Sequence, residues 1–441
     1  MSQLNLTHYT LIFDLGTTYF KAAIMTGEHD FVAIAEVPTP IKSPQVGWSE
    51  IKAPDFLTCI NQLMADLHKR SPDAYSQIQC ISFATQANSF LLLDQSFNPV
   101  SPIIVWNDQR AESIDLTGLN NYHLTGIPAA SYHLAPVKLR WLQQHQPDIF
   151  KEARQFCFLS DYLTYHFTSQ HVTEAGVAGL SAMVDIHQLC WIPQVIEKLN
   201  LQQLNWPTIH LAGKSLGPIS TQAATTYGLN PDCRFTLGCL DQYAGPLAAN
   251  LMDNDGICET TGTVLASVRT SPKFDLSLQK HGVYQGPSPR SGCYFHMLFT
   301  EISANLLAIY RKQFTPDLSY EDLDALASGL SVMDQNLKLV GFDMHRSSFN
   351  FEGDSKYQDI AHQVQAIYYR VALELKKQVN VHYQTSPPVK VMSLGGGANS
   401  QHWLNIKAAV LGCLVIAIPS EKPTCLGAYR LTHTNPTSKH T

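Results

Sequence analysis

The chain has 441 residues, 45% hydrophobic and 15% charged, with a formal net charge of −6. That balance describes a globular protein long enough for two cores, and its acidic surplus argues against nucleic-acid partners or an anionic membrane surface. Ten cysteines without a C-x-x-C pair and 18 histidines without H-E-x-x-H spacing read as reduced thiols in a cytoplasmic protein and argue against a histidine metal cage.

The opening "MSQLNLTHYT" lacks the basic and apolar regions of a secretory leader, and no stretch has the length of a membrane span. "LIFDLGTTYFKAAIM" then reads as a hairpin: an apolar strand over 11–15, a tight corner at Gly16–Thr18, and a second strand over 19–25. "FVAIAEVPTP", after a "GEHD" turn, gives a third strand. "APDFLTCINQLMADLHKR" carries apolar residues at helical spacing behind Ala-Pro-Asp, a good helix opening. "IQCISFAT" is a short apolar strand, and "SFLLLDQSFNPVSPIIVW" reads as two strands about an Asn-Pro turn. Hairpin, helix, strand is the order of an RNase H-like module.

Residues 137–210 read mainly as helix. "GLNPDCRFTLGCLDQ" supplies a turn, a strand and a Gly-bounded exit, which sets a domain boundary near 236 and divides the chain into 1–236 and 237–441. The second part opens as the first does, with "GICETTGTVLASVRT" as strand, Gly-Thr corner and strand. Helices over "EISANLLAIYRKQF" and "DIAHQVQAIYYRVALELKKQV" come next, and their amphipathic faces suit a homodimer. The tail "THTNPTSKHT" is expected to fray. Alternating strands and helices throughout predict an α/β class.

Four short stretches carry chemistry. In "DLGTT", a glycine corner lets phosphate oxygens approach backbone N–H groups, the threonines add hydroxyls, and Asp14 suits Mg2+, which favours few carboxylates plus phosphates. Alone, that string fits many plain turns. "TTGT", with Gly262 and Thr263 at the equivalent corner of the second half, makes a pair of phosphate grips the better reading. In "LGCLDQYAGPLAAN", Asp241 stands between a strand and a small-residue helix, either as a simple helix cap or as the base that takes a proton from an attacking hydroxyl. "SLGGGANS" is a strand-to-helix turn with bare backbone at Gly395–Gly397, able to admit a ring or a phosphate.

In this order the motifs resemble the FGGY carbohydrate kinases of the sugar kinase, heat-shock 70 and actin superfamily, from "FDLGTT" to "PTCLGAYRL". "ISFATQANSFLLLDQSFNPVSPIIVWNDQRAE" resembles the xylulokinase and glycerol kinase segment around the sugar pocket. "LSDYLTYHFTSQHVTEAGVAGLSAMVDI" resembles the family's Asp-Tyr-Leu helix and the stretch after it. The resemblance implies two RNase H-like (actin/hexokinase/heat-shock 70-type) domains around a central cleft, binding ATP with Mg2+ and a small sugar or polyol. It implies Asp241 as catalytic base and Asp14 as the magnesium carboxylate. Gly16, Thr17, Thr18, Gly262, Thr263, Gly396, Asn399 and Ser400 would bind nucleotide. Gln86, Ala87, Asn88, Trp106, Asp108, His133 and Gln242 would line the sugar pocket, with Tyr132 the alternative to His133.

Departures from the family pattern fall outside the carboxylates and the two Gly-Thr corners. The segment "FNFEGDSKYQDIAHQ" is compressed, Ala409 stands where many relatives carry Asp, and Ser160 where xylulokinases often carry Lys. Asn88 replaces a common His and Ala87 a larger residue. The sequence therefore favours an ATP-dependent kinase of a ketose or polyol, with a ketopentose such as xylulose first. The alternative is a catalytically weak sugar- or nucleotide-sensing protein on the same fold. A chaperone- or actin-type ATPase switch would need no pocket at Gln86–Asn88 and Trp106–Asp108.

Overall fold

The computed structural model describes residues 8–27, 30–114, 119–252, 256–343, 346–384, 388–420 and 422–433. The expected frayed tail lies, from 434 onward, outside the described residues, as do positions 28 and 29 of the "GEHD" turn. The chain forms two units, one of Met1–Ala248, Ser271–Phe295 and Thr424–Thr441, the other of Ala249–Thr270 and His296–Pro423.

In the first unit the opening hairpin pairs β1 (Tyr9–Leu15) with β2 (Tyr19–Met25) antiparallel, and β3 (Phe31–Pro38) continues the meander. The sheet order is Ser215–Pro218, Arg234–Thr236, Ile78–Thr85, β1, β2, β3, with Cys239–Leu240 also pairing with Ile78–Thr85. β1 is buried along most of its length because sheet neighbours and helices cover it, hence the apolar run Leu11–Phe13. α1 (Ala53–Arg70) buries Phe56, Ile60, Leu63, Met64 and Leu67 at helical spacing. Pro54 sits in its first turn and His68, Lys69 and Arg70 in its last, matching the helix dipole. Phe56 meets Phe20 of β2 edge-on at 5.6 Å. A second, four-stranded sheet holds Glu50–Ile51, Ile103–Ile104, Phe90–Leu93 and Gln155–Phe158.

Two differences from the sequence reading have simple causes. The span 137–210 is mixed: helices such as Ala135–His145 and Leu159–Thr168 alternate with short strands, because "QFCF" pairs with Phe90–Leu93 and Val172–Glu174 with Thr208–His210. The chain also crosses between units more than once, in place of a single boundary near 236. Cys239–Leu240 is sewn to Ile78–Thr85, so the helix it leads into, Asp241–Ala248, stays with the first unit. The last helix, Pro423–His433, packs onto that helix: the Arg430 guanidinium donates to the Leu247 and Ala248 carbonyls at 3.0 and 2.7 Å.

The second unit contains a sheet in which Leu265–Ser271, Ile257–Thr261, Lys390–Leu394 and Leu414–Ala417 are successive neighbours. Its core is built on the long helix Ile360–His382, whose buried face includes Val364, Ile367, Tyr368, Val371 and Leu375. The compressed segment begins in the strand Ser348–Gly353, which pairs with Leu337–Asp343, and continues through a short turn at Ser355–Tyr357 into the helix Ile360–His382.

Gly238 fixes how the carboxyl end of the first sheet's parallel strands is built. It lies in the break between Arg234–Thr236 and Cys239–Leu240, both paired with Ile78–Thr85, and a Cβ there would fall 1.6 Å from the Phe83 carbonyl oxygen. Gly238→Ala is expected to lower unfolding free energy by about 2–3 kcal/mol, as overpacking against backbone does. Urea denaturation measures this; an unchanged midpoint would contradict the close approach.

Candidate active site

Register decides what meets at the carboxyl ends of the first unit's parallel strands. On one side of Ile78–Thr85, Asp14 pairs with Ala84 and Leu15 with Thr85. On the other side, Cys239 pairs with Ala84 and Leu240 with Thr85. One step further along each strand stand Gly16, Gln86 and Asp241. The Gln86 N–H still donates to the Leu15 carbonyl at 3.4 Å. With neighbouring strands about 4.8 Å apart, Asp14 and Asp241 come from strands separated by roughly 10 Å.

Asp241 heads its helix, and its Oδ1 accepts the Gln242 N–H at 2.6 Å. The side chain keeps some surface open but is densely surrounded. Burial, reinforced by the negative charge of Asp14, pushes its carboxyl up to about 7. Two carboxylates in a poorly solvated site cannot both ionise cheaply, so one is held near neutrality, where a general base works best.

Beside them runs a closed ring of hydrogen bonds. Trp106 Nε1–H donates to Thr17 Oγ1 at 2.9 Å, and the Thr17 hydroxyl donates to Gln86 Oε1 at 3.4 Å. Ser89 Oγ–H also donates to Gln86 Oε1, at 3.1 Å, and accepts the Trp106 backbone N–H at 2.9 Å. Thr17, which the sequence suggests as part of the phosphate corner, is thus tied to two residues of the expected sugar pocket. Thr18 is exposed, and Thr39 braces the corner through the Gly16 carbonyl at 3.1 Å. Gln86 Nε2 and Gln242 Oε1 are buried with no partner among the described residues, a donor and an acceptor whose capacity is unmet.

The other pocket residues divide. His133 lies against Trp106, with ring centroids 5.6 Å apart and its Nδ1 3.3 Å from the Trp106 carbonyl oxygen; Tyr132 packs on His133 at 4.1 Å. Ala87 is half-buried. Asn88 has a left-handed backbone, φ 57°, and clamps two segments: its Nδ2 donates to the Leu180 carbonyl and its Oδ1 accepts the Ala135 N–H, both at 3.0 Å. Asp108 is fully buried, and its two oxygens accept from Arg110 Nε at 2.8 Å, Arg110 Nη2 at 2.9 Å and the Ser49 N–H at 2.6 Å. Arg110 also reaches Glu50 at 2.6 Å and stacks 4.0 Å over Trp48. Asp108 therefore shapes the loop below Trp106.

A residue that sequence reasoning passed over supports the same loop. Lys138, fully buried, donates to the Val105 and Trp106 carbonyls at 2.9 and 2.6 Å. Burial lowers its ammonium to about 7, with Asp108 opposing and Arg110 assisting. Its only signal is a lysine on the apolar face of "APVKLRWL".

In the second unit Gly262, Thr263, Gly396, Asn399 and Ser400 line one cavity of about 560 Å³. Leu394 pairs with Thr260, so the Thr261–Thr263 corner and the glycine loop leave adjacent strands side by side. Gly395 has φ 79°, and a Cβ on it would meet the Thr261 carbonyl oxygen at 2.6 Å, so only glycine fits that turn. One wall is Trp403, stacked on Tyr368 at 4.2 Å and 7°. Asp324, also missed from sequence, accepts from the Tyr368 hydroxyl at 3.1 Å and from the Ser400 hydroxyl. Ser400 caps the helix Gln401–Leu411 through the Trp403 N–H at 2.9 Å. Such a cavity, apolar-walled with a few polar groups and bare backbone, has the volume of a small-molecule site.

Residues 9–248 match the N-terminal domain, and residues 302–433 the C-terminal domain, of the "FGGY family of carbohydrate kinases". The chain belongs to that family. It is 23% identical over 435 residues to a xylulose kinase of Lactococcus lactis, covering 95% of this chain and 86% of the relative. It is 22% identical over 459 residues to a gluconokinase of Bacillus subtilis, covering 96% and 86%. Among solved structures, a ligand-bound xylulose kinase from Lactobacillus acidophilus superposes with a TM-score of 0.84 at 20% identity, covering 97% of this chain and 89% of that one. A glycerol kinase from Plasmodium falciparum with ADP gives 0.82 at 17% identity, covering 97% and 90%. The fold is the two-domain α/β fold of FGGY kinases, and the chain is a sugar phosphotransferase. No helix among the described residues is long and apolar enough to cross a membrane.

The carboxyl of Asp241 gives a stability signature. The unfolded chain titrates it at an ordinary carboxylate value near 3.8 and the folded chain at about 7. The folded state thus holds a proton that the unfolded state releases, so stability falls as pH rises from about 4 to about 7 and the full penalty of ionised Asp241 persists above that. Asp241→Asn is expected to melt higher than wild type at pH 8, with the difference vanishing near pH 4. A melting temperature lowered at pH 8 would contradict the buried, charge-crowded environment.

Proposed function

We propose that this kinase transfers phosphate from ATP to a hydroxyl of an uncharged ketose or polyol, with a ketopentose such as xylulose its first candidate, and that Asp241 is the base. The observation that carries the reading is the row formed by Gly16, Gln86 and Asp241 at three adjacent strand ends.

The residues suit the implied groups. A single carboxylate, Asp14, beside a glycine-threonine corner suits Mg2+ that arrives with phosphates, and no cluster of three or more metal-ligating side chains occurs among the described residues. The cavity beside Gly262 and Gly396 suits a nucleoside. When bound, ATP with Mg2+ supplies the phosphoryl group and neutralises its charge. Asp241 then takes the proton from the acceptor hydroxyl as that oxygen attacks. Gln86 and Gln242 offer an unmet amide donor and an unmet amide acceptor to a polyhydroxylated ligand. Trp106 packs on the ligand's C–H faces while its indole N–H keeps Thr17 oriented.

Charge favours a neutral acceptor over a sugar acid such as gluconate. Two cations beside the Trp106 loop are committed, Lys138 to carbonyls and Arg110 to Asp108 and Glu50. A carboxylate entering beside Asp14 and Asp241 would add a third negative charge.

Coupled ADP release against a panel of ketoses, aldoses, polyols and gluconate tests this, with Asp241→Ala beside wild type. The expected result is turnover with a neutral sugar that exceeds turnover with gluconate and falls about 100- to 10,000-fold in the variant. Turnover with gluconate alone would overturn the acceptor assignment. Binding of nucleotide and sugar without turnover would replace the kinase reading by the sensor.

A further inference from the structure

The second unit buries an ion pair directly behind its cavity. Glu259 and Ser393 face each other across neighbouring strands, and Lys407 reaches them from the helix Gln401–Leu411. Glu259, Thr261, Ser393 and Lys407 are all fully buried. Lys407 Nζ donates to Glu259 Oε1 at 2.6 Å and to Thr261 Oγ1 at 2.9 Å, with Ser393 Oγ at 3.4 Å. The Thr261 hydroxyl donates to Glu259 Oε2 at 2.6 Å and the Ser393 hydroxyl to Oε1. All three ammonium protons and both carboxylate oxygens have partners.

Stability does not explain such a pair. Well-packed apolar residues in place of a buried ion pair are commonly neutral or stabilising, because both ions lose hydration. What the pair does is hold three elements at once. Thr261 immediately precedes Gly262 and Thr263 at the cavity. Its carbonyl oxygen and methyl are the atoms that a Cβ on Gly395 or Gly397 would strike, at 2.6 and 2.7 Å. The glycine loop is therefore seated on Thr261, and Thr261 is fixed by Lys407 and Glu259. The Lys407 ammonium also lies 5.3 Å from the centre of the Trp403 ring, the cavity wall.

We propose that Glu259 and Lys407 are positioning residues for nucleotide binding, setting the Thr261–Thr263 corner against the Gly395–Gly397 loop. The inference rests on reading that cavity as the nucleotide site. Neither residue touches the ligand; both act through Thr261 and Trp403.

Calorimetric titration of MgADP into the full chain tests it, with Glu259→Leu/Lys407→Leu as the main variant. The variant is expected to melt no lower than wild type, to bind the sugar substrate with unchanged affinity, and to bind MgADP about ten-fold more weakly, the loss of one modest set of contacts. Thr261→Val keeps the ion pair and removes only the hydroxyl link; a weakening in the same direction is expected, and this arm stands if the double variant does not fold. MgADP affinity equal to wild type in either folded variant would overturn the inference while leaving the nucleotide site intact. Wild-type protein that binds no MgADP would overturn both.

Discussion

Three parallel strand ends held in one register are the constraint on which the rest of the first unit depends. β1, Ile78–Thr85 and Cys239–Leu240 come from distant parts of the chain, yet their ladders align Asp14, Ala84 and Cys239 in one row and Leu15, Thr85 and Leu240 in the next. A slip of one residue in any of them would turn its side chains to the opposite face. Gly238 lets the last strand come close enough to keep that register. The resulting crowding raises the Asp241 carboxyl towards neutrality, so local instability and suitability as a base share one cause.

Buried charge recurs as a means of holding loops. Asp108, Arg110 and Glu50 pin the segment below Trp106, Lys138 ties the carbonyls above it, and Glu259 with Lys407 underlies the second hairpin. The Glu259–Lys407 network is saturated with hydrogen bonds, which is the condition under which a buried ion is tolerated, and the Asp108–Arg110 network lacks a partner only at Arg110 Nη1 among the described residues. In the second unit the glycine-threonine corner sits directly on a buried polar support, whereas in the first the support holds the Trp106 loop, which reaches its corner through Thr17. Thr17 extends the same logic across functions, since its hydroxyl joins the first corner to Gln86 and Trp106.

Much of this is legible in the sequence. The two hairpins, α1, the helix over 360–382 and the glycine turn derive from periodicity and turn chemistry. Their partners do not, because register between strands far apart in the chain leaves no local trace. The short strands within 137–210 resemble helix in sequence for that reason: "QFCF" is extended only because Phe90–Leu93 lies beside it. Among the proposed site residues, Asp14, Gln86, Trp106 and Asp241 can be read from motif and resemblance. Asp108 can be found from the motif, but its partners Arg110 and Ser49 cannot be assigned from sequence. Lys407 and Lys138 are visible only as lysines within apolar runs, a pattern that announces burial without naming what is held.

In the proposed reaction the phosphoryl group leaves ATP for a sugar hydroxyl under the control of Asp241. Phosphorus-31 NMR of ATP, Mg2+ and xylulose with the wild-type chain tracks that group directly. A sugar-phosphate resonance growing as ATP falls, and absent with Asp241→Asn, is the predicted result. Inorganic phosphate as the sole new signal, or a sugar phosphate formed equally well by Asp241→Asn, would contradict it.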